Sequence, residues 1–384
     1  MIIAVPRVGS LHYMARDFCE RTGLGFVEPP PYTKRTIERG VAISPEHFCF
    51  PMKVLLGSAM ESLEAGADTL ITVAGYGACR FNYFAELQKR ILERHGYEFQ
   101  MVAFDSPRDS VPDFYRNLRA VARGAGLSIS RIVRELALVL RKGQAFDAIT
   151  KRSVGMRALE VEAGAVDVAV SDCEDVLSVA FSRDEIDRAL QEIDERFGAV
   201  RLEPERPHIK VGVIGEIMIS MEPYFNIDID KWLARRGAVV DRTIFMSDIM
   251  TPFGRNPVRG WSDEEMAGFA APYLCHEIGG HGQLNVAAAS DYARKGFDAV
   301  VHLFPFTCLP EVIARTIFVR MSGELDLPIL SLSVDEMTGR AGMETRLEAL
   351  VDLAWARQGL AASKSVSRPR KQSAPLGSGP AGAA

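Results

Sequence analysis

The sequence contains no segment that is long and apolar enough to cross a bilayer. A transmembrane helix needs about 20 consecutive apolar residues, and no stretch of the 384 residues approaches that length. The opening residues 1–7, MIIAVPR, resemble a first strand and lack the long apolar centre of a signal peptide. We therefore expect a cytoplasmic protein with no membrane partner.

An excess of positive charge is also lacking. The formal net charge of −5 and the pI near 5.9 provide no basic field that could hold a phosphate backbone, which argues against nucleic acid as a partner. The hydrophobic content of 47% and a mean hydropathy near zero are ordinary for a globular protein. A chain of this length can bury a large core and is expected to form two or three domains.

Cysteine is scarce, and none of it occurs in a Cys-x-x-Cys pair. Six cysteines in a chain this long, without a signal peptide, are too few for a disulfide scaffold. We expect them to be free thiols, metal ligands or both. The six are Cys19, Cys49, Cys79, Cys173, Cys275 and Cys308.

The pattern of apolar residues changes character along the chain. Residues 1–105 alternate short apolar runs with helical periodicity, which is typical of an α/β domain. Residues 106–206 have few glycines and interleave charged and apolar residues at helical spacing, and the α/β pattern resumes over 207–358. The sequence therefore predicts an α/β fold with two pseudo-repeated, doubly wound parallel-sheet domains and a helical segment between them. Residues 359–384, rich in Ser, Pro, Gly and Ala, are predicted to be disordered.

Cys308 lies between a predicted strand and a predicted helix. The apolar run 299–304 precedes it, and Pro310 and Glu311 suit the first turn of a helix, where the missing N–H costs nothing and the dipole favours an acid. The same helix end favours a thiolate.

Two other cysteines occupy comparable positions. Cys79 follows a predicted strand and a glycine-rich turn that permits close approach of a ligand, and Asp68 precedes it at nearly the spacing that separates Asp298 from Cys308. Cys49 repeats the Cys-x-Pro arrangement before another helix. These cysteines could converge on an iron–sulfur cluster or zinc, or all three could be buried thiols. The spacing leaves these alternatives open.

The remaining cysteines carry weaker signals. Cys19 and Cys173 fall within predicted helices, where a free cysteine is commonly inert. Cys275 begins a His- and Gly-rich turn with His276 and His281, which allows a zinc site, although a loop for close ligand approach is the favoured interpretation.

Several of these motifs together resemble a known family. They are similar to those of the acyl-CoA dehydratase activase-related proteins, which are themselves similar to the D-component chains of 2-hydroxyglutaryl-CoA dehydratase and to the double-cubane cluster proteins. The resemblance runs over residues 1–357 and is weakest in the helical middle. The stretches that carry it are CFPMK at 49–53, ACRF at 78–81, GGHGQ at 279–283, PFTCLPE at 305–311 and DEMTGRAG at 335–342.

The resemblance implies a [4Fe–4S] cluster, or a larger cluster built from it, that receives low-potential electrons from a separate ATP-hydrolysing activase under anaerobic conditions. The chain itself has no Gly-x-x-x-x-Gly-Lys-Ser/Thr loop. Cys275 is a candidate fourth ligand, with a solvent or substrate oxygen as the alternative. The residues assigned in this way are Cys49, Cys79, Cys308 and Cys275 as metal ligands, and Gly77, Arg80, Gly280 and His281 as cofactor-binding residues.

Three functions are consistent with these features. In the first, the chain is a 2-hydroxyacyl-CoA dehydratase-like lyase or an ATP-dependent reductase component, which performs a difficult reduction or dehydration of a small molecule. In the second, it is an electron-transfer or accessory module for a partner enzyme. In the third, it is a zinc-stabilised binding protein. A homodimer or heterodimer is compatible with each.

Overall fold

The computed structural model describes residues 1–73, 79–104, 110–247 and 261–359. Two four-stranded, all-parallel sheets and fifteen α-helices occur in these ranges, so the predicted α/β architecture with a repeated parallel-sheet unit is confirmed. No helix in these ranges has the length and apolar character that a bilayer crossing requires. The predicted disordered tail lies outside the described residues from position 360 onward.

The first sheet has the strand order β2-β1-β3-β4. Helices connect its successive strands. Parallel pairing requires such connections, because the chain must return to the same end of the sheet before the next strand begins. The strands are β1 (Ile2–Ala4), β2 (Gly25–Phe26), β3 (Thr69–Val73) and β4 (Gln100–Phe104), and the helices are α1 (Leu11–Thr22), α2 (Lys34–Ile43), α3 (Phe50–Glu64) and α4 (Phe84–Arg94).

The second sheet repeats the same winding, with the order β6-β5-β7-β8. All seven residues of β7 are buried, as expected for a parallel strand that is covered on both faces. The strands are β5 (Ile209–Gly215), β6 (Ala238–Arg242), β7 (Ala299–Pro305) and β8 (Ile329–Val334). The helices are α9 (Ile217–Met221), α10 (Pro223–Asn226), α11 (Ile229–Ala234), α12 (Asp263–Ala270), α13 (Gly282–Arg294), α14 (Leu309–Glu324) and α15 (Arg340–Arg357).

Along the chain, the predicted helical segment lies between the strands of the first sheet and those of the second. Ser128 and Ser182 cap two of its helices by accepting backbone N–H bonds, which explains why the chain starts helices there. Cys173 is fully buried in this segment, in a core that includes Phe146 and Phe197. The four helices are α5 (Val111–Ala125), α6 (Ile129–Met156), α7 (Ala165–Ser178) and α8 (Arg183–Ala199).

The two sheet-containing halves pack directly on each other. The ring of Phe225, in α10, lies 5.3 Å from that of Phe50 at the start of α3, in an edge-on arrangement. The buried ammonium of Lys53 lies 2.6 Å from a carboxylate oxygen of Glu336, in the loop after β8. These contacts hold the start of α3 against the second half, which matters because Cys49 immediately precedes that helix.

Helices α2 and α3 cross closely through two glycines. A Cβ atom on Gly57 would lie 1.9 Å from the carbonyl oxygen of Thr36, and one on Gly40 would lie 1.7 Å from that of Lys53. No other residue could occupy either position without separating the helices. The direction of α3, and hence the position of its first residues, therefore depends on this contact.

Candidate functional site

Three cysteines begin helical elements at the carboxyl ends of the sheets. Cys49 is the N-cap residue of α3 and Cys308 is that of α14, each followed by a proline in the first turn. Cys79 precedes a 3₁₀ helix, Arg80–Tyr83, after β3. Ligands of doubly wound folds bind beyond this edge of the sheet. Cys79 follows β3 and Cys308 follows β7, whereas Cys49 is placed by the start of α3.

The structure brings these three thiols toward one another. The thiol of Cys79 is close enough to that of Cys49 to affect its ionisation, and Cys49 in turn affects that of Cys308. A Cβ atom on Gly280 would lie 3.7 Å from Sγ of Cys79 and 3.2 Å from Cγ of Pro310. The loop at Gly280 therefore lies between Cys79 and the helix that begins after Cys308.

Arg80 connects the three cysteine-bearing segments. Its Nη1 donates a 2.9 Å hydrogen bond to the carbonyl oxygen of His47, two residues before Cys49. Its Nη2 donates a hydrogen bond to the carbonyl oxygen of Thr307, the residue before Cys308. One guanidinium beside Cys79 thus joins backbone from both halves of the protein.

Two glutamates lie beside the thiols. Glu216 follows β5 and caps α9, accepting a 3.2 Å bond from the backbone N–H of Ile219. Glu311 lies in the first turn of α14 and is 1% exposed. Its Oε2 accepts a 2.8 Å bond from the side-chain amide of Asn285 and lies 2.8 Å from Nε2 of His302.

Asn285 ties this buried network to β5. Its amide group bonds both the N–H and the carbonyl of Gly215, at 3.0 and 3.1 Å. Nδ1 of His302 lies 3.0 Å from Oγ of Ser331 in the adjacent strand. The first turn of α14 is therefore held to three strands of the second sheet, which limits how far Cys308 can move.

The thiols are not ionised by their positions at helix starts. Burial, together with the negative charge of Glu216, raises the pKa of Cys49 to about 12. Burial followed by Glu311 and Glu216 raises the pKa of Cys308 above its usual value, and burial does the same for Cys79. The expectation that the helix end favours a Cys308 thiolate is wrong, because burial and two carboxylates outweigh the helix dipole.

The pKa of Glu216 is also raised. Burial raises its pKa from 4.5 to about 7, although two backbone N–H groups act in the opposite direction. Three thiols and two carboxyl groups in one place would accumulate strong negative charge if they ionised together. A cation bound among them would relieve that repulsion.

In the described ranges, no group of three or more His, Cys, Asp or Glu side chains is arranged to hold a single metal ion. Cys275, His276 and His281 lie in these ranges and form no such group, so the hypothesis of a zinc site at these residues gains no support. Sulfurs that share one zinc ion are roughly 4 Å apart, given zinc–sulfur bonds of about 2.3 Å. Cluster ligands are farther apart, at roughly 6–7 Å. Three soft thiol donors suit iron–sulfur clusters and zinc in kind.

The other cysteines and predicted site residues occupy the following positions. Cys275 is exposed, in the turn that leads to Gly280, and His281 is half-buried as the N-cap residue of α13. Cys19 is buried within α1. Gly77 lies outside the described residues.

Sequence reasoning did not identify Glu216, Asn285 or His302 as parts of the site. Signals for two of them were present. Glu216 follows the Gly215 that ends a buried strand, and His302 interrupts an otherwise apolar strand. Asn285 lies in an ordinary helical stretch, and only its contacts with Gly215 and Glu311 reveal it.

Comparison with known proteins adds no relative to these observations. No protein-family model matches the chain, and no curated protein matches it. The fold and the convergence of the three cysteines are therefore the basis for any functional conclusion.

Proposed function

We propose that Cys49, Cys79 and Cys308 hold an iron–sulfur cluster, [4Fe–4S] or a larger cluster built from it, in the cleft between the two halves. Two observations carry the proposal. Arg80, next to Cys79, hydrogen-bonds the backbone just before Cys49 and just before Cys308, and a Cβ atom on Gly280 would lie close both to Sγ of Cys79 and to Pro310, two residues after Cys308. When bound, such a cluster supplies one-electron transfer at low potential. The thiols bind iron, and binding requires each to lose its proton.

The contrast with the other buried cysteines supports this assignment. Cys19 and Cys173 lie inside helices, among apolar core side chains. The three site cysteines instead begin helical elements, where the backbone N–H groups of Met52, Phe81 and Glu311 act to lower the thiol pKa against the effect of burial. Donors of this kind commonly surround the sulfurs of metal-bound cysteines and tune the centre.

Together with the motif resemblance given under sequence analysis, this arrangement favours the function of a 2-hydroxyacyl-CoA dehydratase-like lyase or an ATP-dependent reductase component. Cys79 is half-buried and Gly280 is exposed, so the cleft can be approached by a small molecule from the Gly280 side. The electrons would come from a separate ATP-hydrolysing activase, since this sequence has no phosphate-binding loop of its own.

A second candidate is an electron-transfer module with a closed cluster. The observation that favours it is the position of Cys275, five residues before the Gly280 that contacts the site. A fourth thiol on that loop would close the coordination and leave no iron open to a substrate.

Anaerobic purification followed by iron, sulfide and zinc analysis tests the proposal. We expect a brown protein that contains iron and acid-labile sulfide, and replacement of Cys308 by Ser should remove most of both, because a hard oxygen is a poor substitute for thiolate. Cys173→Ser is the matched control, since that buried thiol lies in the helical segment. Cys275→Ser separates the two candidates: retained iron supports the open, catalytic site, and loss equal to that of Cys308→Ser supports electron transfer. Stoichiometric zinc without iron would contradict both.

A further inference from the structure

We propose that Arg80 is a positioning residue that holds the three thiols together by hydrogen-bonding to the backbone of both halves. The inference deepens the proposed function and rests on it in treating Cys49, Cys79 and Cys308 as one ligand set. It assigns to Arg80 a role through carbonyl oxygens, rather than through contact with a bound ligand.

The argument starts from where the two acceptors lie. The carbonyl of His47 precedes the N-cap residue of α3, and the carbonyl of Thr307 precedes that of α14. These acceptors are 33 and 227 residues from Arg80 along the chain. Because Arg80 itself follows Cys79, its two hydrogen bonds fix each of the other cysteine segments relative to the third.

The backbone conformation of Thr307 indicates that its hydrogen bond with Arg80 has a structural role. Thr307 has a φ of +65°, a left-handed conformation that is uncommon for a β-branched residue, and its Oγ1 is buried without a hydrogen-bond partner in the described residues. A conformation of this kind persists only where surrounding contacts enforce it. The charge-assisted bond from Arg80 to the Thr307 carbonyl is one such contact, and the conformation it supports sets the direction of Cys308.

The chemistry of the side chain explains why arginine occupies this position. A guanidinium presents several N–H donors in a rigid planar fork and can serve two separated carbonyls at once. A lysine at the same position would keep the positive charge, but its single ammonium could not reproduce that fork. Charge and geometry can therefore be separated by substitution.

The test measures thiol proximity in the reduced, iron-free chain with dibromobimane, a reagent that fluoresces strongly after it links two thiols, and maps the links by peptide mass spectrometry. The wild type should form links among Cys49, Cys79 and Cys308. Arg80→Ala should form them about tenfold more slowly, as expected for losing two hydrogen bonds, and Arg80→Lys should also be slower than the wild type. Arg39→Ala is the control, because Arg39 makes a comparable two-pronged contact with Glu64 on the same half.

A second readout uses the protein loaded with iron. Arg80→Gln should lower the reduction potential by removing a positive charge beside the centre, whereas Arg80→Lys should keep the potential near that of the wild type. This readout tests the location of the Arg80 charge, and an unchanged potential in Arg80→Gln would contradict the placement of Arg80 beside the three thiols.

Failure of the inference and failure of the proposed function give different results. If Arg80→Ala forms the links as fast as the wild type, Arg80 does not position the thiols and the inference is overturned, while iron binding by the wild type would leave the proposed function intact. If the links depend on Arg80 but the wild type binds no iron, the positioning role of Arg80 is supported and the iron–sulfur proposal fails. If the wild type forms no links among the three thiols, both are overturned.

Discussion

Replacing Gly280 by Ala tests whether the loop at this residue forms a wall of the proposed cluster site. Gly280 has a φ of +53°, so alanine there costs about 1–2 kcal/mol of backbone energy. The added methyl would lie 3.2 Å from Cγ of Pro310, which must shift by a few tenths of an ångström, and 3.7 Å from Sγ of Cys79.

The effect on iron should exceed the effect on folding. A metal bound to the Cys79 sulfur would stay within about 2.3 Å of it, as in zinc–thiolate bonds, so the methyl competes for the space around that sulfur. Overpacking of this kind costs about 1–3 kcal/mol. We therefore expect iron affinity to fall by a factor of about 5 to 150, as measured by iron and sulfide content after anaerobic reconstitution under limiting iron.

Gly126→Ala provides the matched control for backbone strain. Gly126 ends α5 with a φ of +64°, and no described atom lies within 4 Å of the position its Cβ would take. Both variants should therefore lose the same backbone energy in urea unfolding, with a small further loss in Gly280→Ala from the shift of Pro310, while only Gly280→Ala should lose iron. Equal iron contents in the two variants would refute the placement of Gly280 at the wall of the site.

Two further predictions concern stability. Gly57→Ala should cost about 3 kcal/mol or more in urea unfolding, because its methyl would lie 1.9 Å from the Thr36 carbonyl oxygen; Gly198→Ala, in a helix with no described atom within 4 Å, should not destabilise, and equal effects would contradict the close α2–α3 crossing. Burial raises the pKa of Glu222 from 4.5 to about 7, so its contribution to stability is complete below pH 4.5 and is lost as the pH rises through 7. Relative to Glu222→Gln, the wild type should lose about 3 kcal/mol of unfolding free energy over that interval; parallel pH profiles of the two proteins would be inconsistent with a buried, protonated Glu222.

The architecture was readable from the sequence because its causes are local. Short apolar runs bounded by glycine, alternating with helical periodicity, predicted parallel sheets on either side of a helical segment. The prolines after Cys49 and Cys308 predicted helix starts, and both are observed. The carboxyl ends of parallel strands share one edge, so the sequence also indicated where these cysteines would lie within each half.

The relation between the halves was decided by tertiary structure. Arg80 reaches a carbonyl in each half, and no periodicity in the sequence pairs it with Thr307. The network of Glu311, Asn285 and His302 likewise joins two helices and a strand.

The pKa of Cys308 shows most directly how the effect of local sequence differs from the effect of the fold. The sequence places Cys308 at a helix start, and the dipole of that helix, a local effect, favours a thiolate. Folding buries the same sulfur beside Glu311 and Glu216, and the pKa rises instead. Secondary structure depends on neighbours along the chain, which the sequence lists in order. The ionisation of a buried group depends on solvent exclusion and on charges brought from distant segments, and these exist only once the chain has folded.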